Sequence, residues 1–442
     1  MSVLEKVKQA REAALRLSTL SLEIRNRALL RAADEVQARK SAILQANQRD
    51  VSRAERLVKL GELSKPLLER LKLSEKKIYS IVESLKSVAS LPDPLGRTVY
   101  AMKLDEGMDL YKVTCPIGVI GAIFESRPDV LPQISSLCLK SGNAVVLKGG
   151  REASESNRIL YTIMKEATEA EGVPEGWIQL IEERKEVREL LKLDEYIDLL
   201  VPRGSKEFIK YIQAHTKIPV LGHAEGICHI YVDAAADLKK ALDICYDAKV
   251  QYPAVCNAVE KILVHSAIAE KFLPMLAERL GAAGVEIRGC PRTLKIIKAR
   301  KATASDWDKE YLDLIVTVKV VDSLDEAIEH INRHSSKHTD AIVTENPKAA
   351  IQFLERVDSS SVMWNASTRF SDGYRYGLGA EVGISTGKLH ARGPVGLEGL
   401  TTTKYYLLGS GQVVADYVEG RKRFLHQPLG TSWEEVKRKL LA

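Results

Sequence analysis

Between residues 117 and 365 the chain alternates short apolar runs with amphipathic stretches, and this rhythm restricts the fold more than any other feature. Strand candidates stand at Ile117–Ile123, Ala144–Lys148, Trp177–Ile181, Ile197–Val201 and Cys228–Asp233, with helical stretches such as 151–171 and 205–215 between them. A second series follows: helix 237–250, strands Lys261–Val264, Leu314–Val321, Ala341–Val343 and Val362–Trp364, and helices 324–333 and 347–357. Such alternation predicts parallel, doubly wound sheets covered by helices. Ligands of such sheets sit beyond the carboxyl ends of the strands, so the residues there are the ones to inspect.

The flanks read differently. Val3, Val7, Ala10, Ala14 and Leu17 fall at helical spacing, as do Ile78, Ile81, Val82 and Leu85, with Ser74 as an N-cap. Leu91-Pro92-Asp93-Pro94-Leu95-Gly96 breaks helix. Thr98–Leu104 and Leu110–Cys115 then read as a hairpin turning at Asp105-Glu106-Gly107, of the kind that pairs with another subunit. The stretch 366–400, rich in Gly, Ser and Thr, reads as mostly loop before a last strand, Thr401–Leu408.

A chain of 442 residues exceeds one ordinary core, so two or three domains are expected. No apolar run approaches the roughly 20 residues of a membrane span. The start, MSVLEKVKQAREAALRL, carries acidic residues and no apolar h-region, so a cytoplasmic location is expected. The net charge of +6 is dispersed, and its one tight cluster, Arg421-Lys422-Arg423, is short. Nucleic-acid binding is therefore not expected, although the surplus agrees with an anionic ligand. Six cysteines stand at least eleven residues apart, with no CxxC, and are expected to be reduced.

A standard GxGxxG is missing after the first sheet strand, where only Gly118 and Gly121 occur. Two other strand ends suit a dinucleotide. At 142–151, Lys148 offers a donor for a ribose, and Gly149 and Gly150 permit close approach. At 198–206, Arg203, Gly204 and Ser205 lead into a helix whose free amides suit a phosphate. Each segment also reads as an ordinary turn and N-cap. Cys256 lies just past a helix in the loop Gln251–Ala258, which holds Pro253. That place suits a reactive thiol, but free cysteine is equally a small buried apolar residue, and the residues alone leave both readings open. Cys245, mid-helix, reads as buried. His330, His334 and His338 are four apart, but the helix should end near Ser335, so no metal is expected. Gly383–Lys388 imitates a P-loop but is one residue short, and Leu389 stands where Ser or Thr is needed.

Together these segments resemble the aldehyde dehydrogenase superfamily from about residue 10 to 410. Pro116-Ile117-Gly118-Val119-Ile120-Gly121 is similar to its first sheet strand, Lys148 to its ribose-binding lysine, Glu310 to the glutamate that holds the nicotinamide ribose, and Cys256 to its nucleophile. Within it, Phe124-Glu125-Ser126-Arg127-Pro128 and the stretches 321–342 and 377–402 are most similar to the gamma-glutamyl phosphate reductases, which usually carry Asn where Asp129 stands. The resemblance implies an α/β fold of two doubly wound domains plus a β-hairpin arm. An NADPH-binding domain would span 1–96 and 116–232, a catalytic domain 233–395, and an oligomerisation arm 97–115 and 396–411. Residues 412–442 form an extension without an assigned role.

It further implies NADPH-dependent reduction of gamma-glutamyl phosphate, the second step of proline synthesis, through a thioester on Cys256 whose oxyanion the Cys256 amide would bind. The substrate would meet Glu125, Ser126, Arg127 and Asn257. The cofactor would meet Lys148, Gly149, Gly150, Arg151, Arg203, Gly204, Ser205 and Glu310. A homo-oligomer is expected, with a glutamate 5-kinase as a candidate partner. Ordinary aldehyde dehydrogenases activate water with a glutamate; His223 aligns opposite it, with Glu225 two residues on as the alternative base. NAD-using relatives carry a glutamate three residues after the ribose lysine, where Arg151 stands here, and a cation there favours a 2′-phosphate. Two other readings remain: NAD-dependent oxidation of a small aldehyde, and a scaffold without chemistry.

Overall fold

The computed structural model describes residues 1–63, 65–204, 206–222 and 225–442, with the backbone alone at 65, 66, 184 and 206. Five helices open the chain: α1 (Val3–Leu17), α2 (Leu22–Ala38), α3 (Lys40–Lys59), α4 (Lys65–Leu71) and α5 (Glu75–Ser90). Ser2, Ser21 and Ser74 each accept a hydrogen bond from the backbone N–H three residues on, which fixes where α1, α2 and α5 begin. The hairpin β1 (Thr98–Asp105) and β2 (Met108–Pro116) follows. Then come β3 (Val119–Phe124), α6 (Val130–Lys140), β4 (Ala144–Lys148), α7 (Ser154–Glu169), β5 (Ile178–Ile181), α8 (Arg184–Leu190), β6 (Leu199–Arg203) and α9 (Lys206–His215).

The second half holds β7 (Cys228–Val232), α10 (Leu238–Val250), β8 (Val259–His265), α11 (Ser266–Ala282), β9 (Glu286–Gly289), α12 (Thr293–Ile296), β10 (Arg300–Lys301) and β11 (Ile315–Val321). It continues with α13 (Leu324–His334), β12 (Thr339–Val343), α14 (Pro347–Arg356), β13 (Ser361–Trp364), β14 (Gly383–Ser385), β15 (Gly393–Val395) and β16 (Thr401–Leu408). The chain closes with α15 (Val414–Val418), β17 (Gln427–Pro428) and α16 (Trp433–Leu441).

Both main sheets are parallel, as the alternation predicted. The smaller runs β5-β4-β3-β6 and the larger β10-β9-β11-β8-β7-β12-β13. β3, β4 and β5 are wholly buried apolar runs apart from Lys148 and Gln179, as strands covered on both faces must be. The hairpin joins β16 and β17 in an antiparallel sheet ordered β16-β2-β1-β17.

The structure departs from expectation in three places. Strand 228–232 belongs to the larger sheet, between β8 and β12, so the division expected after 232 falls before 228. A run buried on both faces carries no mark of which sheet it joins. Ala380, Val382, Val395, Leu397 and Leu400 pack into the core of α2, α5, α6 and the smaller sheet, so part of 366–400 returns to the first half instead of extending the second. The extension 412–442 closes the arm: β17 pairs with β1, and the Trp433 ring lies 4.7 Å from Tyr406 and 6.2 Å from Tyr111.

Candidate active site

The registers Ile123↔Lys148 and Phe124↔Arg203 bring three strand ends of the smaller sheet to one edge. Beyond them Gly149 and Gly150 turn into α7. A Cβ on Gly149 would lie 2.0 Å from Asn157 Nδ2, and one on Gly150 would lie 1.9 Å from Glu152 Oε1, so a larger residue at either position would have to displace that side chain. Asn157 Oδ1 is buried without a hydrogen-bond partner among the described residues. Lys148 is buried, which pulls its pKa down, and its ammonium donates to the Gly149 carbonyl.

Helix α7 has no side-chain cap of its own. Asp50 of α3 supplies one, accepting from Ser156 N at 2.8 Å, Ser156 Oγ at 2.8 Å and Glu155 N at 3.2 Å. The same carboxylate holds Arg53 at 2.5 Å. Arg53, Arg151, Ser154, Arg158, Glu182 and Glu183 line an open cleft of ≈ 650 Å³. Arg53 is spent on Asp50 and Arg158 on Glu155 and Glu182, whereas Arg151 makes no hydrogen bond or ion pair among the described residues. The cleft thus offers one uncommitted guanidinium beside the two glycines. Sequence reading singled out Arg151 but missed Arg53 and Arg158. Arg53 stands about a hundred residues upstream, and the packing of α3 on α7, through Asp50 and Asn47, brings it there.

Cys256 lies in the turn between α10 and β8 and is half-buried. Its backbone is wedged against Gly226, where a Cβ would lie 2.0 Å from Cys256 O and 2.5 Å from its Cα. The Gly226 N–H donates to Glu310 Oε1 at 2.9 Å, which ties that carboxylate to the nucleophile loop. The Cys256 N–H has no hydrogen-bond partner among the described residues. The buried Cys228 thiol donates to Cys256 O at 3.2 Å, and burial raises its own pKa well above the ordinary range. The guanidiniums of Arg203 and Arg369 each come within electrostatic reach of Cys256. Burial lowers the pKa of both, further depressed by Arg127 in the first case and by Arg375 in the second. Arg70 of α4 reaches the same turn, at 3.5 Å from Ala254 O.

Arg203 was expected beside the cofactor phosphates. The structure places it on the nucleophile side, where its Nη1 donates to Val382 O at 2.8 Å and it neighbours Arg127 and Glu381. A side chain as long as arginine leaves a strand end in either direction, and spacing does not say which. Gly204 packs against Glu125, whose Oε2 lies 2.6 Å from where a Cβ would stand. Ser205 and His223 lie outside the described residues. Arg127 pairs with Asp129 at 3.0 Å; burial pulls its pKa down, but Asp129 and Glu381 outweigh that and leave it raised.

Two expected substrate residues make hydrogen bonds within the protein. Ser126, at φ +46°, gives its N–H and hydroxyl to Glu152 at 2.6 and 2.7 Å. Asn257 is buried and gives its amide to Ser371 O at 2.7 Å, tethering the nucleophile turn. Arg369 and Glu381 escaped notice because they sit in a glycine- and serine-rich stretch that carries no periodicity. Cys245 is buried within α10, as its position implied. His330 lies edge-on to Trp307, with burial pulling its pKa to about 2, while His338 Nδ1 stands 2.8 Å from Thr339 Oγ1. Lys388 pairs with Asp358 at 2.9 Å.

Residues 1–288 match the model of the aldehyde dehydrogenase family. A gamma-glutamyl phosphate reductase of Natronomonas pharaonis is 57% identical over 431 residues, covering 97% of this chain and 98% of the relative. The chain belongs to the gamma-glutamyl phosphate reductases of the aldehyde dehydrogenase family. A relative of the same description from Ruminiclostridium cellulolyticum is 53% identical over 424 residues, covering 96% of this chain and 97% of its own. The crystal structure of the gamma-glutamyl phosphate reductase of Thermotoga maritima superposes with a TM-score of 0.89 at 42% identity, covering 93% of this chain and all of that one. An acetylating aldehyde dehydrogenase from Geobacillus thermoglucosidasius, at 17% identity and a TM-score of 0.65, shares the fold. As a member of this family the chain is an oxidoreductase.

Proposed function

We propose that this chain reduces gamma-glutamyl phosphate to glutamate 5-semialdehyde, with NADPH as the reductant and Cys256 as the nucleophile. The observation that carries this reading is the joining of three elements at one turn. Cys256 is wedged on Gly226, Gly226 holds Glu310, and two guanidiniums come within electrostatic reach of the cysteine. Cys256 Sγ attacks the acyl carbon and phosphate departs, leaving a thioester. The Cys256 N–H, without a hydrogen-bond partner among the described residues, would bind the tetrahedral oxyanion, and Arg203 and Arg369 would attract the phosphate. Arg127, with Asp129 and Glu381 beside it, supplies both signs of charge for the carboxylate and ammonium of the glutamyl end.

The residues fit a phosphorylated dinucleotide. Lys148 and Glu310 would hold its riboses, Gly149 and Gly150 admit its backbone, and Arg151 would take the 2′-phosphate. When bound, the cofactor supplies hydride to the acyl carbon. Val99, Tyr100, Tyr405 and Leu407 stand exposed on the arm sheet, which supports subunit pairing there. The test is NADP+ reduction by glutamate 5-semialdehyde with and without phosphate, in wild type and Cys256→Ala. Phosphate-dependent NADPH formation that the substitution abolishes is the expected result. Equal oxidation without phosphate would make water the acceptor and replace this reading with aldehyde oxidation.

A further inference from the structure

Three charged side chains lie beneath the active site with no exposure at all: Lys249 in the last turn of α10, and Glu260 and Lys261 at the start of β8. These elements flank the Cys256 turn on either side. The three side chains bind the segment 309–313. Lys261 Nζ donates to Lys309 O at 2.7 Å, Lys249 Nζ to Asp313 O at 3.0 Å, and the Leu312 N–H to Glu260 Oε1 at 3.2 Å. Lys249 and Glu260 also pair with each other at 3.3 Å. Between the anchored carbonyls stands Glu310. The next ring, Tyr311, has Lys261 over it at 4.5 Å and gives its hydroxyl to Asp306 at 2.8 Å. Leu312 is held at φ +55°, a conformation an L-residue takes only when its surroundings impose it.

Buried ions are a poor means of stabilising a fold, because desolvation offsets their attraction and apolar replacements of similar size often serve as well. What fixed charges do supply is geometry. Here they pin the backbone on both sides of one residue, and that residue's carboxylate reaches Gly226 at 2.9 Å, against the nucleophile. We infer that Lys249, Glu260 and Lys261 form a buried clamp that positions Glu310 for the nicotinamide ribose, so that the elements carrying Cys256 also set the cofactor's reactive end against it. The inference rests on the reading of Glu310 as a ribose ligand given above. Burial lowers the pKa of Lys261 to about 8 and that of Lys249 as well, and raises that of Glu260, which agrees with groups held where charge is costly.

A double-mutant cycle on the full-length enzyme tests it, with the KM for NADP+ and the affinity for 2′,5′-ADP as readouts. That ligand carries the adenosine half alone and does not extend to Glu310. Glu310→Gln should raise the KM about tenfold, the size of one charge-assisted hydrogen bond. Lys261→Met should raise it about fivefold, and the double substitution should be no worse than Glu310→Gln, because the lysine acts through the glutamate. All three should bind 2′,5′-ADP as wild type does, and Lys261→Arg should recover part of the loss. Effects that multiply, or 2′,5′-ADP affinity that falls in step with KM, would overturn the clamp and leave the ribose reading intact. An unchanged KM in Glu310→Gln would overturn the ribose reading itself, and the clamp with it. If Lys261→Met does not fold, the paired substitution Lys249→Met with Glu260→Gln, which removes both signs of charge together, enters the same cycle with the same outcomes.

Discussion

Gly226→Ala isolates the contact on which the active site is built. The added Cβ would stand 2.0 Å from Cys256 O and 2.5 Å from its Cα, whereas ordinary contact begins at 3.4 Å. One backbone or the other must therefore retreat by about 1.4 Å. Neither neighbour is the yielding end of a long side chain. A displacement of about 1 Å at a reacting group typically costs on the order of 10²-fold in rate. The Gly226 N–H would move as well, loosening Glu310, so kcat should fall about 100-fold and the cofactor KM should rise with it. Overpacking of this kind costs about 1–3 kcal/mol of stability, which a domain of this size survives. Circular dichroism and thermal melting establish that the variant is folded. The phosphate-dependent assay gives kcat, and alkylation by iodoacetamide reports whether Cys256 remains accessible. A folded Gly226→Ala enzyme with wild-type kcat would refute the claim that this contact sets the nucleophile's position.

Two further outcomes follow from charges described above. Arg151→Ala should raise the KM for NADPH at least tenfold, since a charge-assisted bond contributes about 1.5–3 kcal/mol, and leave the KM for NADH unchanged; steady-state kinetics with both cofactors read this directly. Lys140 is fully buried, donating to Asn26 Oδ1 at 2.6 Å and Ala89 O at 2.9 Å, and burial lowers its pKa to about 8. Between that value and the ordinary 10.5 the unfolded chain keeps a proton that the folded chain has released. Stability relative to Lys140→Met should therefore climb across this window by up to about 1.36 kcal/mol per pH unit, measured by urea unfolding; a flat difference would contradict it.

The parallel sheets were legible because β3, β4, β5 and β6 are apolar runs bounded by turn residues, and the arm because β1, β2 and β16 alternate. β9 was not, since Glu286-Ile287-Arg288-Gly289 is short and half polar, and β14 and β15 carry three residues each. In the site, strand ends pointed to Lys148, Gly149 and Gly150. Residues that reach the site across the fold left no local trace. Arg53 arrives through the packing of α3 on α7, Arg369 from an aperiodic loop, and Gly226 is recognisable only by the backbone pressed against it. Nothing in the sequence marked Lys249, Glu260 and Lys261 as buried. Their burial depends on a segment some fifty residues away.

The arm sheet ends differently on its two sides. Its β1 edge is covered by β17, a strand of two residues whose second is proline and has no N–H to offer a further strand. At Met102 and Lys103 that side is already paired. The β16 edge, eight residues long, is the one at which pairing can continue. A sheet stopped at one end can be extended only once by an identical partner in two-fold symmetry, after which both stopped ends face outward. For arms that pair in this way, the tail that carries β17 would act as a terminator, opposing the open-ended stacking that leads to fibres.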